Sequence, residues 1–315
     1  MAVYTPVSED ELKDFLSRYD IGSLVSYEGI EQGVSNTNYF VATDKDRYVM
    51  TLFEPHRVHE SDIPFFLNYS ITLEQSGIPC PKTIEQKDGH TLSRLCGRPA
   101  VIFSVLEGDG GSVSMLTPDL CEKAGKTLAQ MHVAAGKITA FAPNHFSLPC
   151  WRSWISSIGA EMNRLQPGLY DLARSEMAWV EKKWPDLPSG VIHADYFPDN
   201  VFFKDGNVTG VIDFHFVCND LFAYDLAIAL NAWSFDTNNV FRKDRFDGFL
   251  RGYNAVRPLS LNERNALPVL VRAAALRFLL SRIEEKLKWK PGDFMKPHDP
   301  LVFEKRLKHF QRGIT

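Results

Sequence analysis

The sequence predicts an α+β chain of two lobes, a small β-rich one over residues 1–106 and a larger, mainly helical one over 107–315. Three observations carry this. Residues 24–54 hold three extended runs separated by short polar turns. From residue 117 onward the apolar positions recur mostly at helical spacing. Between the two regions, Gly108-Asp109-Gly110-Gly111-Ser112 is a flexible stretch where the character of the chain changes. At 315 residues the chain is long for one compact core, so two lobes with a cleft between them are expected.

Ser8-Glu9-Asp10-Glu11 has the spacing of a capping box, which starts a helix over 12–19. Strands follow over 24–30, 38–43 and 48–53, the last two joined by the polar Asp44-Lys45-Asp46 turn, as in an antiparallel meander. Residues 62–75 read as a helix that Gly77 and Pro79-Cys80-Pro81 close. Further strands are expected near 82–86 and 99–106. Thr117-Pro118-Asp119 opens a long helix toward His132, because threonine caps and proline suits the first turn. Helices are expected over 151–165, 171–184, 221–234, 242–253 and 267–287, interrupted by one short β insertion.

Composition narrows the partners. A net charge of −4 and an ordinary charged content of 23% provide no basic field, which argues against nucleic acid or an anionic membrane. The N-terminus lacks a basic stretch followed by an apolar run, and no segment approaches the ~20 apolar residues of a membrane span. A cytoplasmic protein acting on a small molecule is the expectation, as a monomer or weak homodimer. Its five scattered cysteines, with no C-x-x-C pair, read as reduced thiols.

The β insertion holds the chemistry. Gly190-Val191-Ile192-His193-Ala194-Asp195-Tyr196-Phe197-Pro198-Asp199-Asn200-Val201-Phe202-Phe203 is followed by an Asp205-Gly206-Asn207 turn and Val208-Thr209-Gly210-Val211-Ile212-Asp213. Two apolar strands flank a tight turn. Asp195 and Asn200 lie on the loop before the hairpin, and Asp213 follows its second strand. Singly, each is an ordinary turn residue. Together they form the order H-x-D-x-x-x-x-N, strand, turn, strand, Asp, which suits phosphoryl transfer: one carboxylate orients the attacking hydroxyl while a second carboxylate and an amide hold Mg²⁺ on the phosphates. His193 reads as a brace for the loop.

These residues resemble the aminoglycoside phosphotransferase and choline kinase superfamily, with His193-Ala194-Asp195 and Ile212-Asp213-Phe214 in the places of the catalytic and metal-binding motifs. Within it the chain is most similar to the bacterial homoserine kinases of this fold, through Gln32-Gly33-Val34-Ser35-Asn36-Thr37-Asn38-Tyr39, Tyr48-Val49-Met50-Thr51-Leu52-Phe53-Glu54 and the Asp195 loop. The resemblance implies a protein-kinase-like fold, ATP and Mg²⁺ as cofactors, and L-homoserine as acceptor. Asp195 would be the catalytic carboxylate and Asn200 and Asp213 the metal ligands. Gly33, Ser35, Asn36 and Asn38 would cover the phosphates, with adenine against Val105 and Leu106. Choline, aminoglycosides and sugars are alternative acceptors.

For an acceptor with an ammonium and a carboxylate, an acidic group and an arginine are expected near Asp195. Asp220 is the candidate for the first, Arg277 and Arg282 for the second; ordinary salt-bridged helix positions are the plainer alternative for both arginines. Trp233 is a candidate for lining the acceptor pocket, with core packing as its alternative. Asp225 reads as a helix cap and His132 as structural. One departure stands out. Thr51 occupies the place where kinases carry a phosphate-binding lysine, and the helix over 62–75 offers no central glutamate to pair with one, so a nucleotide-binding pseudokinase is an alternative. A two-metal hydrolase built on His193/Asp195 and Asp213/His215 is the rival from another class.

Overall fold

The computed structural model describes residues 3–30, 36–55, 59–290 and 297–314. The chain divides into two compact units, one comprising Met1–Gly108 and Thr209–His215, the other Asp109–Val208 and Phe216–Thr315.

In the first unit, α1 (Glu9–Leu16) starts at the expected capping box, with Ser8 and Glu11 satisfying each other's backbone amides. It packs on an antiparallel sheet of β1 (Leu24–Gly29), β2 (Thr37–Thr43), β3 (Arg47–Leu52), β4 (Ser93–Leu95) and β5 (Arg98–Ser104), ordered β1-β2-β3-β5-β4. The first three strands form the expected meander, in which Asn38 of β2 stands opposite Thr51 of β3. The core beneath them includes Leu12, Phe15, Val41, Met50, Leu52 and Ile102, all essentially without solvent contact. Helix α2 (Ile63–Gln75) ends where expected, with Gly77 at φ 72°. The strand expected near 82–86 is reduced to two isolated bridges, Thr83 to Phe103 and Gln86 to Tyr19, and a separate hairpin of β4 and β5 turns at Cys96-Gly97. The run turns from one partner to the other: the Lys82 carbonyl accepts from the Ser104 amide and the Ile84 amide donates to the Ile102 carbonyl, while Gln86 faces Tyr19.

The second unit opens with β6 (Asp109–Gly110) and α3 (Pro118–Ala135), whose Thr117 cap accepts a hydrogen bond from the Leu120 amide. The helix expected over 151–165 is split into α4 (Leu148–Ile158), a 3₁₀ turn and α5 (Met162–Leu165), broken at Gly159, φ 47°. Then follow α6 (Leu169–Lys183), β7 (Ser189–Ile192), β8 (Val201–Lys204), β9 (Asn207–Val211), which from Thr209 on belongs to the first unit, and β10 (Cys218–Leu221). Asp205 and Gly206, both at positive φ, make the tight turn between β8 and β9. Helix α7 (Phe222–Trp233) is buried on nearly every face, as its uniformly apolar sequence requires. The unit is completed by α8 (Lys243–Val256), α9 (Leu261–Lys288) and α10 (Leu301–Gln311). Among the described residues no helix is long and apolar enough to cross a membrane.

Helices α3 and α8 meet through glycines. A Cβ on Gly252 would lie 1.8 Å from the Glu122 carbonyl oxygen, and one on Gly125 would lie 2.1 Å from that of Phe249. Alanine is favoured over glycine inside a helix by about 1 kcal/mol, so Gly252→Ala separates propensity from packing. We expect packing to win, with a net loss of roughly 1–3 kcal/mol on thermal unfolding; an unchanged or raised melting temperature would refute the interlock.

Candidate functional site

The loop 193–200 leaves β7, which is held by pairing to β10, with Ile192 opposite Cys218 and Gly190 opposite Asp220. Ala194 is at φ 62°, a left-handed conformation that costs a non-glycine residue roughly 1–2 kcal/mol. Asp225 offsets it. Its two carboxylate oxygens accept hydrogen bonds from the amides of His193 (2.9 Å) and Ala194 (2.8 Å). The Asp225 carboxylate also meets His132 Nε2 at 2.9 Å, and His132 Nδ1 is 2.8 Å from the Tyr253 hydroxyl, which accepts from Arg257 at 3.1 Å. Burial pushes the Asp225 carboxyl upward, but hydrogen bonding and charge from His132 outweigh it and hold its pKa below the ordinary value. Asp225 lies in the first turn of α7, whose N-cap is Leu221 and has no side-chain cap; the expected capping role is therefore corrected to loop bracing. The loop partners of Asp225 lie 31 and 32 residues earlier in the chain, so this role leaves no local signature in the sequence.

The rest of the loop is pinned as firmly. His193 is fully buried and its Nδ1 accepts from the Asp195 amide at 3.2 Å, so it braces the loop as expected. The Tyr196 hydroxyl donates to Ala124 O, and Phe197 packs edge-on against Phe278 of α9. Trp233 is fully buried, stacks on Tyr196 and donates its indole N–H to Tyr196 O at 2.9 Å. A side chain so enclosed cannot line an open pocket, and its alternative, core packing, holds. Asn200 Nδ2 donates to Asp195 O at 2.9 Å, which orients the amide with its oxygen available as a ligand.

Helix α9 brings Arg277 to the same loop. Its Nη1 stands 4.0 Å from Asp195 Oδ1, and the residue is 4% exposed. The guanidinium lies 3.9 Å from the ring centroid of Phe278 and 4.9 Å from that of Phe146. Arg282, one and a half turns further on, is partly buried; burial lowers its pKa while Asp195 opposes that shift. Asp220 accepts from Asn144 Nδ2 at 2.6 Å and from the Leu221 amide at 2.7 Å; burial pushes its carboxyl up against these bonds. Asp220 and Arg277 both lie within electrostatic reach of the buried Tyr224 hydroxyl.

In the first unit, Asp213 sits at φ 71° and its carboxylate meets the imidazole of His215. The next residue, Phe214, packs edge-on against Tyr69 of α2. The strand leading to Asp213 is tied to the 105–107 segment: Thr209 Oγ1 donates to Glu107 O, and a Cβ on Gly210 would strike Leu106 at 2.3 Å. Asn36 accepts from the Glu54 amide, and Asn38 Oδ1 accepts from Thr51 Oγ1 at 2.7 Å. Thr51 thus spends its hydroxyl on the neighbouring strand, and the one carboxylate of α2, Glu74, is near its end with Lys82 at 3.8 Å. Buried Glu54 accepts from Thr5 and Thr37 at 2.7 Å each, anchoring the start of β2. Gly33 and Ser35 lie outside the described residues.

A model of the phosphotransferase enzyme family matches residues 26–259. The chain belongs to that family. It is 46% identical to a homoserine kinase of Methylobacterium radiotolerans, over 98% of this chain and 95% of that protein. It is 45% identical to one from Rhodopseudomonas palustris, over 100% and 96%. Among solved structures it is similar to a spectinomycin phosphotransferase in complex with ADP and spectinomycin, with a TM-score of 0.69 at 15% identity, covering 97% of this chain and 95% of that one. An amicoumacin kinase in complex with AMP-PNP and Ca²⁺ gives 0.71 at 13% identity, covering 98% and 93%. These likenesses show the α+β kinase-like fold. The hydrolase alternative falls with the family.

Proposed function

We propose that the protein is a homoserine kinase, which transfers the γ-phosphoryl group of ATP to the side-chain hydroxyl of L-homoserine and yields ADP and O-phospho-L-homoserine. The observation that carries this is near full-length identity of 44–46% to homoserine kinases. The family's chemistry needs a carboxylate held in place beside the acceptor, and the braced Asp195 loop suits that need.

Asp195 orients the acceptor hydroxyl and takes its proton as the oxygen attacks the γ-phosphorus and the bond to ADP breaks. Asn200 and Asp213 supply an amide oxygen and a carboxylate, the hard donors that suit Mg²⁺. They would hold the metal, whose contribution there would be to neutralise phosphate charge. Asn36 and Asn38, with Gly33 and Ser35, cover the phosphates, and Val105 and Leu106 border adenine. With Thr51 committed to Asn38, phosphate charge falls to the metal and backbone amides rather than to a lysine. Residues 1–106 serve the nucleotide and 107–315 the acceptor, in a cytoplasmic monomer or weak homodimer.

The test is ADP release from Mg-ATP by purified protein with L-homoserine, choline, a sugar panel and an aminoglycoside, beside a control without acceptor. Homoserine-specific turnover is the expected result. Turnover with another acceptor alone would keep the chemistry and reject the substrate; nucleotide binding without turnover would point to the pseudokinase.

A further inference from the structure

Two guanidinium groups of α9, those of Arg277 and Arg282, come within electrostatic reach of Asp195. Arg277 is almost fully buried, yet among the described residues its guanidinium makes no hydrogen bond; it has only Asp195 at 4.0 Å and the faces of Phe278, Phe146 and Phe216. Arg282 adds a second guanidinium whose Nε is buried and bonded to nothing among the described residues. A buried guanidinium with unused donors is costly unless a charged acceptor completes it. Its planar fork matches a carboxylate, and the aromatic walls exclude the water that would otherwise substitute.

We propose that Arg277 couples recognition of the acceptor to the catalytic carboxylate. With no acceptor present the guanidinium leans on Asp195. When the acceptor's α-carboxylate arrives it takes the guanidinium, and Asp195 is released to the hydroxyl. A carboxylate is then a condition for turnover as well as for binding, and an amino alcohol of the same length without one is discriminated against in kcat as well as in KM. This rests on the homoserine reading and deepens it. Arg282, on the same helix and within electrostatic reach of both Arg277 and Asp195, adds to the field that favours an anion there.

The experiment compares L-homoserine with 3-amino-1-propanol, which keeps the hydroxyl and ammonium and lacks the carboxylate, in the wild type and in Arg277→Gln. In the wild type the ratio of kcat/KM should favour L-homoserine strongly. In Arg277→Gln that ratio should fall by about 100-fold or more, with KM for ATP unchanged and ADP release without acceptor raised. A structural role would depress both acceptors in parallel, so an unchanged ratio overturns the proposal. So does a wild type that uses both acceptors equally well. If Arg277→Gln does not fold, Arg277→Lys decides by the same ratio, since it keeps the charge and loses the fork; a ratio intermediate between those of wild type and a carboxylate-blind site is expected. Failure of the wild type to phosphorylate L-homoserine at all would reject the functional reading instead.

Discussion

Asp195→Asn is expected to lower kcat by about three orders of magnitude while the dissociation constant for Mg-ATP stays within a fewfold of wild type. The substitution keeps the size of the side chain and removes its capacity to take a proton, and a positioned general base contributes roughly 10²–10⁴ to such a rate. The loop itself should survive, because Asp225 holds it by the Ala194 amide, Trp233 by the Tyr196 carbonyl and Phe278 by the Phe197 ring. Single-turnover transfer together with equilibrium nucleotide binding separates the two effects. Turnover retained near the wild-type rate would remove Asp195 from the mechanism, and loss of nucleotide binding would show that it serves the fold instead.

The largest effect on stability is expected at Asp225. In Asp225→Asn the two loop amides of His193 and Ala194 would face a group with one acceptor and an added donor, and His132 would lose its carboxylate. Breaking a buried charged network from one side costs about 3–5 kcal/mol, which for a chain of this size lowers the melting temperature by on the order of 5–8 °C. The pH dependence has a defined sign. Because the native Asp225 pKa is depressed below the ordinary 3.8, its contribution is fully present above that value and is lost as pH falls through the lower native one. The gap between wild type and variant should therefore be full at neutral pH and narrow in acid. Thermal unfolding followed by circular dichroism across that range tests both points, and equal melting temperatures at neutral pH would count against the bracing role.

Parts of this molecule were legible in the sequence for reasons that can be named. The meander over β1, β2 and β3 announces itself by alternation and the Asp44-Lys45-Asp46 turn, and the pairing of Asn38 with Thr51 follows from that register. The placement of Asp195 and Asn200 between β7 and β8, and of Asp213 just after β9, was readable from the two apolar runs and the Asp205-Gly206 turn, while their roles belong to the proposed function. The start of α9 was equally readable, yet the expectation began it at 267. Ser260 and Glu263 form a full capping box, and the helix runs from Leu261 through Pro268, where the buried face outweighs one missing donor. Helix α10 was not anticipated at all. Arg277 is one of the arginines expected near Asp195, and it stands there. The role of Asp225 lay beyond reach for a different reason: it acts across 31 to 93 residues of chain, on partners that only the packing of α7 brings near.

The hold of Asp225 on the amides of His193 and Ala194 means that the shape of the Asp195 loop is read through the main chain. Every residue but proline offers the same N–H, so the side chain at 194 is not what writes the left-handed turn. The instruction is stored in α7, one carboxylate on a helix that the loop never follows in sequence. The side chains of His193, Tyr196 and Asn200 pin the rest of the loop, but the turn at 194 is kept under remote custody, and a change at 225 reaches it without altering the loop's own sequence.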